Sequence, residues 1–222
     1  MVATAATALK SNDLPSSSLP QLMSRLGVQL GPAGTPATRE WTLAMLAGRF
    51  VELSSPAAGA SLTAAVSLVL EAQLQGEPAA WIATAGSTFY PPDVAASGVD
   101  LAALPVVRTA DTPVALRAAD HLLRSGAFAA LILDVGDHYA MRIAVQSRLA
   151  GLAKKHRTAL VCLTRKASER PSIGSLISIR GEASAKKTRF DAFAWQVRVV
   201  KDKRRGPGWR HAGECRGPEG LC

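Results

Sequence analysis

From position 49 the chain alternates between short, almost wholly apolar runs and longer stretches in which apolar residues return every three or four positions. "RFVEL" opens the series as a short buried strand, and 61–75 follows as a helix with Leu62, Val66, Val69 and Leu70 on one stripe. "AAWIAT" (79–84) and "PVVR" (105–108) read as the second and third strands. A helix over 113–124 comes next, with Thr112 as its N-cap and proline in its first turn. "AALILDV" (129–135) is a fourth strand carrying Asp134 near its end, 139–155 is a helix, and "TALVCLT" (158–164) is a fifth strand. Strands so continuously apolar are buried on both faces, which predicts an α/β fold with a mainly parallel central sheet flanked by helices.

Beyond Ser175 the period shortens to two. "SLISIRGEA" sets Leu176, Ile177 and Ile179 among polar residues, and "DAFAWQVRVVKDK" alternates Phe193, Trp195, Val197 and Val199. These predict two adjacent antiparallel strands extending the sheet. No internal repeat is visible, and the pattern is that of one domain.

The first 36 residues are rich in Ser, Pro, Ala and Thr and read as a mobile leader. Within it, "LPQLMSRLGVQL" brings Leu19, Leu22, Met23 and Leu26 close to one helical face, as a short docking helix or as a segment folding back on its own core. A further short helix is expected over 38–46. The chain therefore divides into a leader (1–36), a domain (37–203) and a basic Gly/Pro-rich tail (204–222). A length of 222 residues with 48% apolar content suffices for one sizeable core. No apolar run approaches the roughly 20 residues needed to span a bilayer. The N-terminus lacks a basic start followed by an apolar run. Three cysteines, Cys162, Cys215 and Cys222, are an odd number without zinc spacing. The expectation is a cytoplasmic protein with no membrane contact, no metal and no cofactor. His211 with Cys215 and Cys222 is too widely spaced for a zinc site, and the last dozen residues read as a disordered tail.

The net charge of +9 is concentrated. Between positions 165 and 210 lie 13 basic and 4 acidic residues, a surplus of nine, whereas the rest of the chain is balanced. Arg198, Lys201, Lys203, Arg204, Arg205 and Arg210 form the centre of this block. Such a block suits single-stranded DNA or an acidic protein surface, the alternative being a solvated tail. Trp195 falls in an alternating strand and is expected in the core. Trp209 follows "GPG" and is expected to be exposed, where it offers a stacking surface.

The first strand is followed by "ELSSPAAGASLTAA", where a nucleotide-binding sheet carries its phosphate loop. Gly59 is present, but Ala60 stands where the loop lysine belongs. Ser61 retains the hydroxyl that contacts magnesium in such loops. Asp134 is either a metal-ordering acid or a capping acid at a strand-to-helix turn. Activation of water calls for an acid after the second strand, yet "WIATAGSTFY" supplies Ala83, Thr84, Ala85 and Gly86. Two requirements of hydrolysis fail together, so the expectation is a nucleotide-binding scaffold without catalytic residues. The competing expectation is a residual ATPase using Ser61, Asp134 and lysines from a neighbouring chain.

"GRFVEL", "SGVDLAALPVV", "ALRAADHLLRSGAFAALILDV" and "QVRVVKDKR" resemble, in order and spacing, the corresponding segments of RecA over about 48–203. The resemblance implies a RecA-like P-loop NTPase core. It sets Lys201 and Lys203 at the positions of two lysines that reach a neighbouring subunit's nucleotide, and Ala85 at that of the catalytic glutamate. "RKASERPSIG" is much shorter than the second DNA-binding loop of RecA. A shortened RecA-like chain with a degenerate loop, "FYPPDVAASGVDLAALPVVR" and "VKDKRRGPG" is similar to the ImuA family, also labelled SulA-like. That likeness implies a non-enzymatic accessory role in SOS-induced translesion synthesis and mutagenesis. The implied partners are ImuB, RecA, single-stranded DNA and, through ImuB, an error-prone replicative-type polymerase. The SulA-like label alternatively implies a cell-division inhibitor.

Overall fold

The computed structural model describes residues 40–56, 58–136, 140–189 and 192–216. Five α-helices are α1 (Leu43–Leu46), α2 (Ala58–Leu74), α3 (Pro91–Ala96), α4 (Thr112–Ser125) and α5 (Ile143–His156). Eight strands are β1 (Phe50–Ser55), β2 (Ala79–Thr84), β3 (Val106–Thr109), β4 (Ala130–Gly136), β5 (Ala159–Arg165), β6 (Ile179–Lys187), β7 (Ala192–Asp202) and β8 (Arg210–Arg216). They form one sheet in the order β3-β2-β4-β5-β1-β6-β7-β8. β1 to β6 are mutually parallel where they pair, and β7 runs antiparallel to both β6 and β8.

The apolar strands are buried on both faces, as their composition requires. Successive residues point to opposite sides, so Val51 and Leu53 join Leu68, Val69, Trp81 and Ile132 in the core under α2. Phe50 joins Leu116, Leu123, Leu131, Leu133 and Leu149 under α4 and α5. α4 is capped by Asp111, whose side chain accepts from the Val114 amide at 2.8 Å. Thr112, expected as the cap, is instead the first helical residue. The helix expected over 139–155 begins at Ile143, because Met141 is held outside it: its amide donates to the Ile173 carbonyl and its own carbonyl accepts from Gln146.

β6 and β7 alternate as expected. Trp195, Val197 and Val199 pack toward α2 with Ala183, while Ser184, Gln196 and Arg198 lie exposed on the other side. The expected tail over 204–222 is corrected in part: 210–216 form β8, hydrogen-bonded along β7. Its sequence, "RHAGECR", has no bulky apolar alternation to signal a strand. Pairing satisfies its backbone, and the Trp195 ring lies 2.9 Å from where a Gly213 Cβ would sit. Trp209 is corrected too: it is buried against Trp41, ring centroids 6.4 Å apart. The leader residues Leu19, Leu22, Met23 and Leu26, and Cys222, lie outside the described residues. Among the described residues, no helix is long and apolar enough to cross a membrane.

Candidate functional site

In an open parallel sheet, ligands sit beyond the carboxyl ends of the strands, where connections leave to opposite faces. Here β1 feeds α2 on one face and β4 feeds α5 on the other. Ser61, Thr88, Asp134, Thr164 and Arg165 converge at that point, and the space between them is about 10 Å³. That is room for about one water molecule.

The expected phosphate loop is absent as a loop. β1 ends at Ser55 and α2 begins at Ala58, so only Pro56 and Ala57 separate them. Gly59, Ala60 and Ser61 belong to the first turns of α2, and Ala60 and Ser61 are buried. An alanine-rich segment with a single glycine favours early helix over the open turn that lets several backbone N–H groups surround a phosphate.

Asp134 is 6% exposed and fully engaged by protein donors. Its Oδ2 accepts from the Ser87 hydroxyl at 2.6 Å and its Oδ1 from the Gly136 amide at 3.2 Å. Burial pushes its carboxyl above the ordinary range, against the opposing pull of these hydrogen bonds, the Arg165 charge and the Thr88 amide. Arg165 lies across the strand ends, donating to the Gly86 carbonyl at 3.1 Å. One guanidinium nitrogen comes within 3.2 Å of the Cβ position of Gly136 and 3.4 Å of that of Gly86. A side chain at Gly136 would press on it, whereas one at Gly86 would reach ordinary contact. Asp134 thus has the surroundings of a capping acid, with an arginine of its own chain beside it. Ala85 is exposed in the turn after β2, and no acid replaces it there. Among the described residues, no three His, Cys, Asp or Glu side chains are grouped to hold a metal.

The cationic candidates are elsewhere. Because β7 is antiparallel, Lys201, Lys203, Arg204 and Arg205 lie at the opposite edge of the sheet from Asp134. A single copy does not bring the two sets together. Lys203 donates to the Ser175 carbonyl at 2.8 Å. Lys201 lies opposite Arg180 in the ladder; burial and then the Lys203 charge hold its ammonium below the ordinary range. Arg204 and Arg205 are exposed, in a turn fixed by Asp202, whose Oδ1 accepts from both their amides. The same oxygen accepts from Arg49 at 2.5 Å, and Arg49 also reaches the Ser178 carbonyl. Burial opposes ionisation of Asp202, but the Arg49 hydrogen bond and charge and the two amides outweigh it, holding its carboxyl below the ordinary range.

This edge has members that charge counting along the chain misses. Lys154, Lys155 and Arg157 end α5, where cations complement the helix dipole. A Cβ at Gly48 would lie 3.6 Å from the Cα atoms of Lys154 and Arg157, and Gly48 adjoins Arg49. Two cation clusters therefore flank the Gly48–Arg49 segment. They come from sequence regions that looked unrelated, one of them balanced in charge.

Arg198 and Arg210 are neighbours across β7 and β8 on the exposed face, and Arg198 donates to Glu182 at 2.6 Å. With Trp195 and Trp209 both buried, neither offers a face for base stacking. The segment between β5 and β6 is tied down by groups sequence reasoning did not single out. Lys166 pairs with buried Glu52 and donates to the Pro171 carbonyl at 2.6 Å, and Arg180 donates to the Arg170 carbonyl at 2.6 Å. Their only sequence signal is a charge inside an apolar run, Glu52 in "RFVEL". No family model matches the chain, and no curated protein matches it.

Proposed function

We propose that the chain is a RecA-like scaffold of the ImuA type, a non-enzymatic accessory protein in SOS-induced translesion synthesis that bridges ImuB and RecA. The observation that carries this reading is the crevice at the carboxyl edge: Arg165 and Asp134 fill it with groups of the same chain, and about 10 Å³ remains. A scaffold without a phosphate cradle has its surfaces left for work, and the most charged of these is the opposite, cationic edge. That edge attracts acidic protein surfaces or nucleic-acid backbone. Buried Trp195 and Trp209 favour charge attraction over stacking, so a DNA contact here is one of phosphates. The leader supplies the second docking element, through Leu19, Leu22, Met23 and Leu26.

Ser61 and Asp134 line one crevice, which supports a second reading, a residual ATPase. Ligand-induced stabilisation separates the two. ATP with magnesium at about 100 times its dissociation constant would stabilise a binding-competent chain by about 2.7 kcal/mol. The accessory reading expects no shift in melting temperature. A shift that Asp134→Ala abolishes would establish the ATPase reading instead. Deletion of residues 1–36 is expected to abolish partner capture and leave the melting temperature of the domain unchanged.

A further inference from the structure

Among the described residues, β8 is an open sheet edge seven residues long, without proline, from Arg210 to Arg216. The opposite edge, β3, has four residues. The Val199 amide donates to the Trp209 carbonyl, and Thr188 donates to Ala192 across the neighbouring pair. By the alternation of an antiparallel ladder, His211, Gly213 and Cys215 therefore direct their backbone groups to β7. Arg210, Ala212, Glu214 and Arg216 direct theirs to the open edge, and all four are exposed. An edge of this length left unpaired is a template for another strand.

The side chains select which strand. We infer that β8 pairs with β8 of a second copy of this chain, antiparallel, about a two-fold axis at Ala212. In that register Arg210 lies opposite Glu214 of the partner subunit and Glu214 opposite the partner's Arg210, two opposite-charge pairs on one face. Ala212 meets its own equivalent on the axis, where a small side chain gives room. On the other face His211 faces the partner's Gly213, which has no side chain to oppose it. Shifting the axis to Gly213 sets Arg210 against the partner's Arg216. Shifting it to Glu214 sets that carboxylate against itself. Like charges directly opposite are destabilising, and only the Ala212 register sets Arg210 opposite Glu214, so that register is the one the charges favour. The product is a dimer with one sheet running through both copies, its two crevices at opposite edges.

Sedimentation equilibrium of the full chain tests this, with circular dichroism on each variant to verify folding. The wild type is expected to dimerise with rising concentration. Glu214→Arg and Arg210→Glu alone each set like charges opposite, and each is expected to weaken dimerisation by about tenfold or more. The double variant exchanges the charges and is expected to restore it. Ala212→Cys is expected to cross-link two copies through position 212, since directly opposed residues of a hydrogen-bonded pair are about 5.5 Å apart at Cα, within disulfide reach. A monomeric wild type at all concentrations overturns the inference. So does a dimer indifferent to the single charge reversals, a double variant that stays monomeric, or no cross-link at position 212.

Discussion

Arg49→Met probes the ion pair that joins the start of β1 to the end of β7. The Arg49 and Asp202 side chains are 1% and 0% exposed, their N–O distance is 2.5 Å, and Asp202 Oδ2 has no partner among the described residues. Removing one member leaves a buried carboxylate with only the Arg204 and Arg205 amides, and breaking such a pair costs about 3–5 kcal/mol. The cost depends on pH. In the wild type the Asp202 carboxyl is held below its ordinary value, so the unfolded chain binds the proton more readily. The pair's contribution is fully present above the ordinary carboxylate range and is lost as pH falls through the native value. In the variant, desolvation without the cation raises that carboxyl, so the penalty is greatest at neutral pH and shrinks as pH falls toward about 4. Urea unfolding at two pH values measures both quantities. Adding Asp202→Asn removes the stranded charge, keeps an acceptor for the two amides, and is expected to recover more than half of the loss. A loss below about 1 kcal/mol at neutral pH, the size of a surface pair, would refute the reasoning. So would a loss independent of pH.

Other consequences follow from single contacts. Gly213→Ala sets a Cβ about 2.9 Å from the Trp195 ring and is expected to lower stability by about 1–3 kcal/mol, with a change in tryptophan emission. Burial holds the Asp134 carboxyl high in the native state, so this group's contribution to stability falls as pH rises through its native value. Asp134→Asn, which keeps an acceptor for Ser87, is expected to flatten that dependence in melting curves. Replacing Lys154, Lys155 and Arg157 by glutamate is expected to weaken binding to the proposed acidic partner or DNA as strongly as replacing Lys203, Arg204 and Arg205. Either triple variant shallows the salt dependence, which is read by repeating the binding titration at several salt concentrations.

The fold was legible where burial writes itself into composition. β2 is found at the very residues of its apolar run, and β1, β4 and β5 within one or two positions of theirs. The period-two stretches after Ser175 likewise gave β6 and β7. β8 was not legible, because a strand of Arg, His, Ala, Gly, Glu and Cys is held by backbone pairing and by the Trp195 ring over Gly213. The loop conformation was misread, though not its place: Gly59 read as loop glycine, yet the alanines around it start α2 at once. Ala60 and Ala85 were legible as alanines where the RecA resemblance implies a lysine and a glutamate. The Arg165 guanidinium near Asp134 and Gly86 was not, since only the sheet brings β5, β4 and β2 side by side. The same holds for Lys154 and Arg157, which reach the basic edge through the contact of α5 with Gly48.

The central proposal, partner binding by a scaffold whose carboxyl-edge crevice is filled by its own side chains, is tested most directly by one capture experiment. Tagged full-length chain is presented with ImuB and with RecA separately, with and without saturating ATP and magnesium. Capture of either partner to the same extent in both conditions is the result predicted. Capture that appears only with ATP, or tight ATP binding with neither partner retained, would contradict it.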